Sequence, residues 1–111
     1  MSSRILFQDT KPYEVVESLD NLRGPASGMI ELPLYVRAMS REFRQVDLDN
    51  ADERIAAYND ILQEGTLSDI VELVNTRLLI KDWLQQRLPR RVVDRWESRF
   101  SELRGAHRLG R

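Results

Sequence analysis

The apolar and polar positions divide the chain into a weakly periodic first third, a short stretch of strand character and a strongly helical second half. The first periodic segment opens at Thr10, Lys11 and Pro12, where Thr can cap and Pro suits a first turn, and it places Tyr13, Val16, Leu19 and Leu22 on one face. The spacing predicts a short helix ending at Arg23, Gly24 and Pro25, because Gly accepts a left-handed exit and Pro cannot continue the ladder. After a turn over residues 24–28, Met29 to Leu32 reads as a strand, since Pro33 biases Leu32 toward extended backbone. A second strand is expected from about Arg44 to Leu48, with Phe43, Val46 and Leu48 as its apolar positions. The two can pair as a small antiparallel ribbon, which is marginal unless it lies on a helix.

From Asp49 the helical pattern strengthens. Asp49 or Asn50 can cap, Asp52 and Glu53 complement the positive helix end, and Ile55, Tyr58, Ile61 and Leu62 line one face up to Gly65. Thr66 and Asp69 then form a capping-box pattern that starts a helix with Leu67, Ile70, Val71 and Val74 on one side. Asn75 breaks the chain before a third helix, Thr76 to about Arg87, whose Leu78, Leu79, Ile80, Trp83 and Leu84 predict the central, most buried helix. Pro89 opens a last helix in which Val92, Val93, Trp96, Phe100 and Leu103 step along one face until Gly105. The expectation is a mainly α, single-domain module over residues 1–111, with its core at about 10–104, frayed ends at 1–9 and 105–111, and one short ribbon.

Composition narrows the chemistry. A chain of 111 residues with 41% hydrophobic and 32% charged residues has room for one modest core. It has no Cys and a single His, His107, in the expected tail, which removes thiolate chemistry, disulfides and His-rich metal sites. The start of the sequence has a three-residue apolar run, too short for a signal peptide or a membrane span, so a cytoplasmic protein is expected. No Gly-rich phosphate loop follows a strand, and no cofactor, metal or small-molecule ligand is expected. The acids of residues 47–53 have a calcium-loop look but lack its Gly and its terminal Glu, and they suit a helix start. These features predict a protein that binds rather than catalyses.

Charge points to the C-terminal helix. From Arg87 to Arg111 eight Arg face three acids, a balance of +5, whereas Met1 to Gln86 carries nine Lys or Arg and fifteen acids, a balance of −6. The candidate partner-binding residues are Arg90, Arg91, Val92, Arg95, Trp96, Arg99 and Phe100. Two readings compete: the apolar stripe packs on the body and the arginines are solvated or paired with Asp94 and Glu97, or Trp96 and its flanking arginines form an exposed hot spot. Nucleic-acid binding through Arg90, Arg91, Arg95 and Arg99 is a further alternative, although a pI near 5.8 argues against it as the main activity.

One succession of short motifs is also familiar: Leu22 to Pro25, Ile30 to Pro33, Val46 to Asp49, Ile61 to Ile70, then Asp82 to Leu84 and Leu88 to Val92. In that order they resemble a family of short actinobacterial proteins encoded beside nucleotidyltransferase toxins of the AbiEii or Men type. The resemblance implies an antitoxin that holds a tRNA-modifying nucleotidyltransferase in an inactive complex, with all chemistry belonging to the toxin. Larger antitoxins of such systems carry a winged DNA-binding domain, and this chain departs from them in having no clear winged-helix segment.

Overall fold

The structure, a computed structural model, describes residues 13–104. Its order is a 3-10 turn (Leu19–Asn21), strand β1 (Met29–Glu31), a 3-10 turn (Arg41–Arg44), strand β2 (Gln45–Asp47), helix α1 (Ala51–Glu64), helix α2 (Leu67–Leu73), helix α3 (Thr76–Asp82) running into a 3-10 turn (Trp83–Gln85), and helix α4 (Arg90–Arg99). The fold is mainly α with one two-stranded antiparallel sheet. One apolar cluster, with members from Val16 to Leu103, joins these pieces apart from the Arg41–Arg44 turn, which contributes no buried residue.

The first predicted helix is corrected. Its proposed start at residues 10–12 lies outside the described residues, and from 13 to 23 the only helical element is the 3-10 turn, capped where Ser18 accepts from the Asp20 N–H. Val16, Leu19 and Leu22 are buried, as the three-residue spacing implied, but by an irregular path. Tertiary pairing explains the difference: Arg23 and Gly24 spend their N–H groups on the Val71 and Val74 carbonyls, at 2.8 and 2.9 Å, which holds this stretch against the end of α2. Adjacent β-branched Val15 and Val16 also lower helix propensity. Gly24 is not left-handed; among the described residues only Gly28 has positive φ. Gly24 serves close approach instead, since a Cβ there would lie 2.3 Å from the Leu73 carbonyl carbon.

The ribbon forms where expected, with Ile30 opposite Val46 and Glu31 opposite Gln45. Val46, Leu48 and Leu32 are buried, so its inner side rests on the core. Phe43 is not part of β2: it sits in the preceding 3-10 turn and is exposed. Asn50 caps α1 by accepting from the Glu53 N–H, and Ala57, Tyr58, Ile61 and Leu62 face inward, joined by the charged Arg54. Ile55 is only half-buried.

Thr66 and Asp69 complete a capping box at α2, two orphan donors satisfied reciprocally. Asn75 ends α2 and caps α3; its N–H donates to the Tyr58 hydroxyl and its amide to the Gly24 carbonyl. The third helix is shorter than predicted and not buried all round. Leu78, Leu79 and Trp83 are buried, but Ile80 is half-buried and Leu84 exposed, because Asp82 turns inward and the backbone tightens into the 3-10 turn. The last helix begins one residue after Pro89, which serves as its cap, and breaks at Phe100, whose extended backbone precedes a further helical turn at 101–104.

Candidate functional site

The structure divides the predicted site on α4 into two sets. Val92 and Trp96 are fully enclosed and Phe100 nearly so, with the Trp96 and Phe100 rings 5.7 Å apart in a tilted pair. That corrects the reading of Trp96 as an exposed anchor: its ring is core, where large aromatic surface contributes most to stability. Arg90, Arg91, Arg95 and Arg99 are exposed on the outer side of the helix. Arg90 pairs with Asp94 at 3.4 Å across one turn, while Glu97 accepts from the Trp83 indole at 2.8 Å.

A second surface was not anticipated from the sequence. Met29, Leu34, Tyr35, Met39 and Phe43 are each more than half exposed, five large apolar or aromatic side chains within fifteen residues. Five such side chains exposed within one stretch of chain make it a candidate contact surface. The segment is held firmly. Val36 is buried and its N–H returns to the Pro33 carbonyl, so Leu34 and Tyr35 lie at the tip of a tight turn. Arg37 spans to Asp60 on α1 with two nitrogens at 2.8 and 2.9 Å and donates to the Phe43 carbonyl. Arg44 donates to the carbonyls of Met39 and Leu32, and Glu31 gathers Arg41, Arg44 and Gln45.

The fourth tie is Tyr35, whose hydroxyl donates to Asp69 at 2.6 Å, the carboxylate that completes the capping box of α2. Burial works against the Asp69 charge, but hydrogen bonds from Tyr35 and from the backbone and side chain of Thr66 outweigh it and hold the carboxyl below its ordinary value. The same bond to Asp69, aided by desolvation, pushes the Tyr35 phenol up. Glu31 is lowered chiefly by its hydrogen bond with Arg41. The polar groups of the platform are thus engaged with partners in the segment or on α1 and α2, and its large apolar groups are exposed. The sequence signal was present but silent: apolar residues between two strand candidates with neither a two- nor a four-residue period.

The acidic run at 47–53 is structural. Asp47 accepts from the Asp49 N–H, Glu53 from the Asp47 N–H and Asn50 from the Glu53 N–H, so the acidic run builds the turn into α1. Two shallow clefts, of about 600 and 460 Å³, meet at Gln86, one beside Asp52, Asn59 and Arg87 and the other beside Arg90, Asp94 and Glu97. Neither lining includes Ser, Cys or His. His107 lies outside the described residues. No helix among the described residues is long and apolar enough to cross a membrane.

Part of the motif succession noted in the sequence is framework. Leu22, Gly24, Leu32, Val46, Leu48, Ile61, Leu62, Ile70, Asp82, Trp83 and Val92 are buried, and Thr66 and Asp69 cap. Comparison with protein-family models, with curated proteins and with solved structures finds no match for this chain. What fold and surface define is a class: a small, mainly α domain that braces a ribbon-linked apolar platform.

Proposed function

We propose that this chain is an antitoxin, a non-catalytic cytoplasmic protein that binds and neutralises a nucleotidyltransferase toxin of the AbiEii or Men type. The observation that carries the binding part of this reading is the braced, outward-facing set Leu34, Tyr35, Met39 and Phe43. Covering such side chains contributes about 1.5–3 kcal/mol each when burial is complete. Because Arg37, Arg44 and Tyr35 already order the segment, little further ordering opposes association. The partner's identity rests on the resemblance of the ordered motifs to proteins encoded beside such toxins.

Co-expression with the product of the adjacent reading frame tests both parts. The expected result is a stable complex in which nucleotidyl transfer is suppressed, and in which Leu34→Ser with Phe43→Ser releases the toxin while the chain stays folded. A neighbour that is no nucleotidyltransferase, or one that fails to co-purify, overturns the toxin reading. A complex untouched by the double variant moves the contact off the platform.

A further inference from the structure

We infer that α4 carries a second, separate surface, a row of Arg91, Arg95 and Arg99 that binds the phosphodiester backbone of nucleic acid without reading its sequence. This rests on observations independent of the antitoxin reading. On the body of the protein the arginines from 37 to 54 are all spent: Arg37 on Asp60, Arg41 and Arg44 on Glu31, Arg54 on Asp82. Arg91, Arg95 and Arg99 are exposed and make no ion pair among the described residues. The acids nearest in sequence are engaged or displaced: Asp94 holds Arg90, Glu97 holds the Trp83 indole, and Glu102 lies beyond the backbone break at Phe100.

Geometry favours a linear polyanion. Residues four apart on an α-helix fall on one side at steps of about 6 Å, so the three arginines are attached along about 12 Å of one helix side. The helix that carries the row is fixed, because Val92 and Trp96 anchor it in the core and Phe100 continues that anchor. The other exposed residues among positions 90–99 are Arg90, Asp94 and Ser98, so this face offers charge with no apolar contact. Protein interfaces have the opposite make-up, an apolar centre depleted in charge. A phosphate backbone asks only for regularly spaced cationic donors, and the planar guanidinium matches phosphate oxygens with two N–H groups.

The test is fluorescence anisotropy of the full chain with labelled 20-base-pair duplexes of arbitrary sequence, one DNA and one RNA, in 50 and 200 mM salt. Three neutralised phosphates predict a salt slope near −2.7 for the DNA duplex, hence a loss of about 40-fold in affinity between the two salt concentrations. Arg91→Glu, Arg95→Glu and Arg99→Glu together should lower affinity at 50 mM by about 30-fold or more with an unchanged melting curve, and the three Lys replacements should restore binding to within about fivefold. Both duplexes binding alike supports backbone recognition; a preference for either identifies which nucleic acid the row is shaped for. The inference is overturned by no binding at 50 mM, by a triple Glu variant that binds as well as the parent through Arg108 and Arg111, or by poly-glutamate competing as well as the duplexes, which would make the row a site for acidic protein.

Discussion

Arg54 donates to both carboxylate oxygens of Asp82, Nε to Oδ2 at 2.6 Å and Nη2 to Oδ1 at 3.0 Å, and both side chains are buried. A third donor, Nη1, reaches the Leu48 carbonyl at 2.9 Å. One guanidinium therefore links α1, the end of α3 and the chain leaving β2. Removing one partner strands a buried charge, so Asp82→Ala should cost about 3–5 kcal/mol in urea unfolding. Replacing both with apolar residues, Arg54→Met with Asp82→Leu, should recover most of that loss. A small effect of Asp82→Ala would mean that water reaches the pair.

Trp96 and Arg91 lie on one helix with opposite expected roles. Trp96→Ala should destabilise the fold by about 3–5 kcal/mol, because a buried indole leaves a cavity. Arg91→Glu should change stability by no more than about 0.5 kcal/mol, as its side chain is solvated. Thermal melting of the two variants separates core from surface on a single helix.

Gly24→Ala has little room to succeed. Its methyl would fall 2.3 Å from the Leu73 carbonyl carbon and 2.6 Å from the Val74 nitrogen, both backbone atoms. Overpacking of this kind costs about 1–3 kcal/mol and more where backbone must move. Hydrogen exchange should show early loss of protection at Arg23 and Gly24, whose N–H groups bond across to α2.

The Tyr35 and Asp69 contact predicts a pH window. Asp69 is lowered in the fold, so its contribution is full above the ordinary carboxylate range, near pH 4, and fades as pH falls through the depressed folded value. Tyr35 is raised, so its contribution is full below the ordinary phenol value, near pH 10, and fades as pH rises through the folded value. Stability compared between wild type and Tyr35→Phe should converge at both extremes and differ between them. A difference independent of pH would assign Tyr35 a packing role only.

On the platform, Leu34→Ser and Phe43→Ser should each weaken the proposed complex by about 10- to 100-fold, the equivalent of about 1.5–3 kcal/mol of lost apolar burial. Isothermal titration against the purified partner checks this. The same substitutions should leave the free protein's melting temperature nearly unchanged, since both side chains are exposed before association.

Local chemistry made much of this architecture legible in advance. The reciprocal bonding of Thr66 and Asp69, a cap at the start of α1, the break at Asn75, the ribbon from Met29 to Asp47 and the inward stripe of Val92, Trp96 and Phe100 all follow from interactions within a few residues or from helical spacing. These are decided by side-chain reach and backbone geometry, which a linear sequence carries. Three features were settled by contacts the sequence does not order. The segment before Gly24 gives up helix for hydrogen bonds to α2; Arg54 is drawn into the core by Asp82, 28 residues away; and residues 33–44, which have no period, become a platform only because Arg37, Arg44 and Tyr35 find partners on other elements. Each depends on groups meeting across the fold, and so the surface proposed to hold a partner, unlike the elements beneath it, was a decision of the tertiary structure.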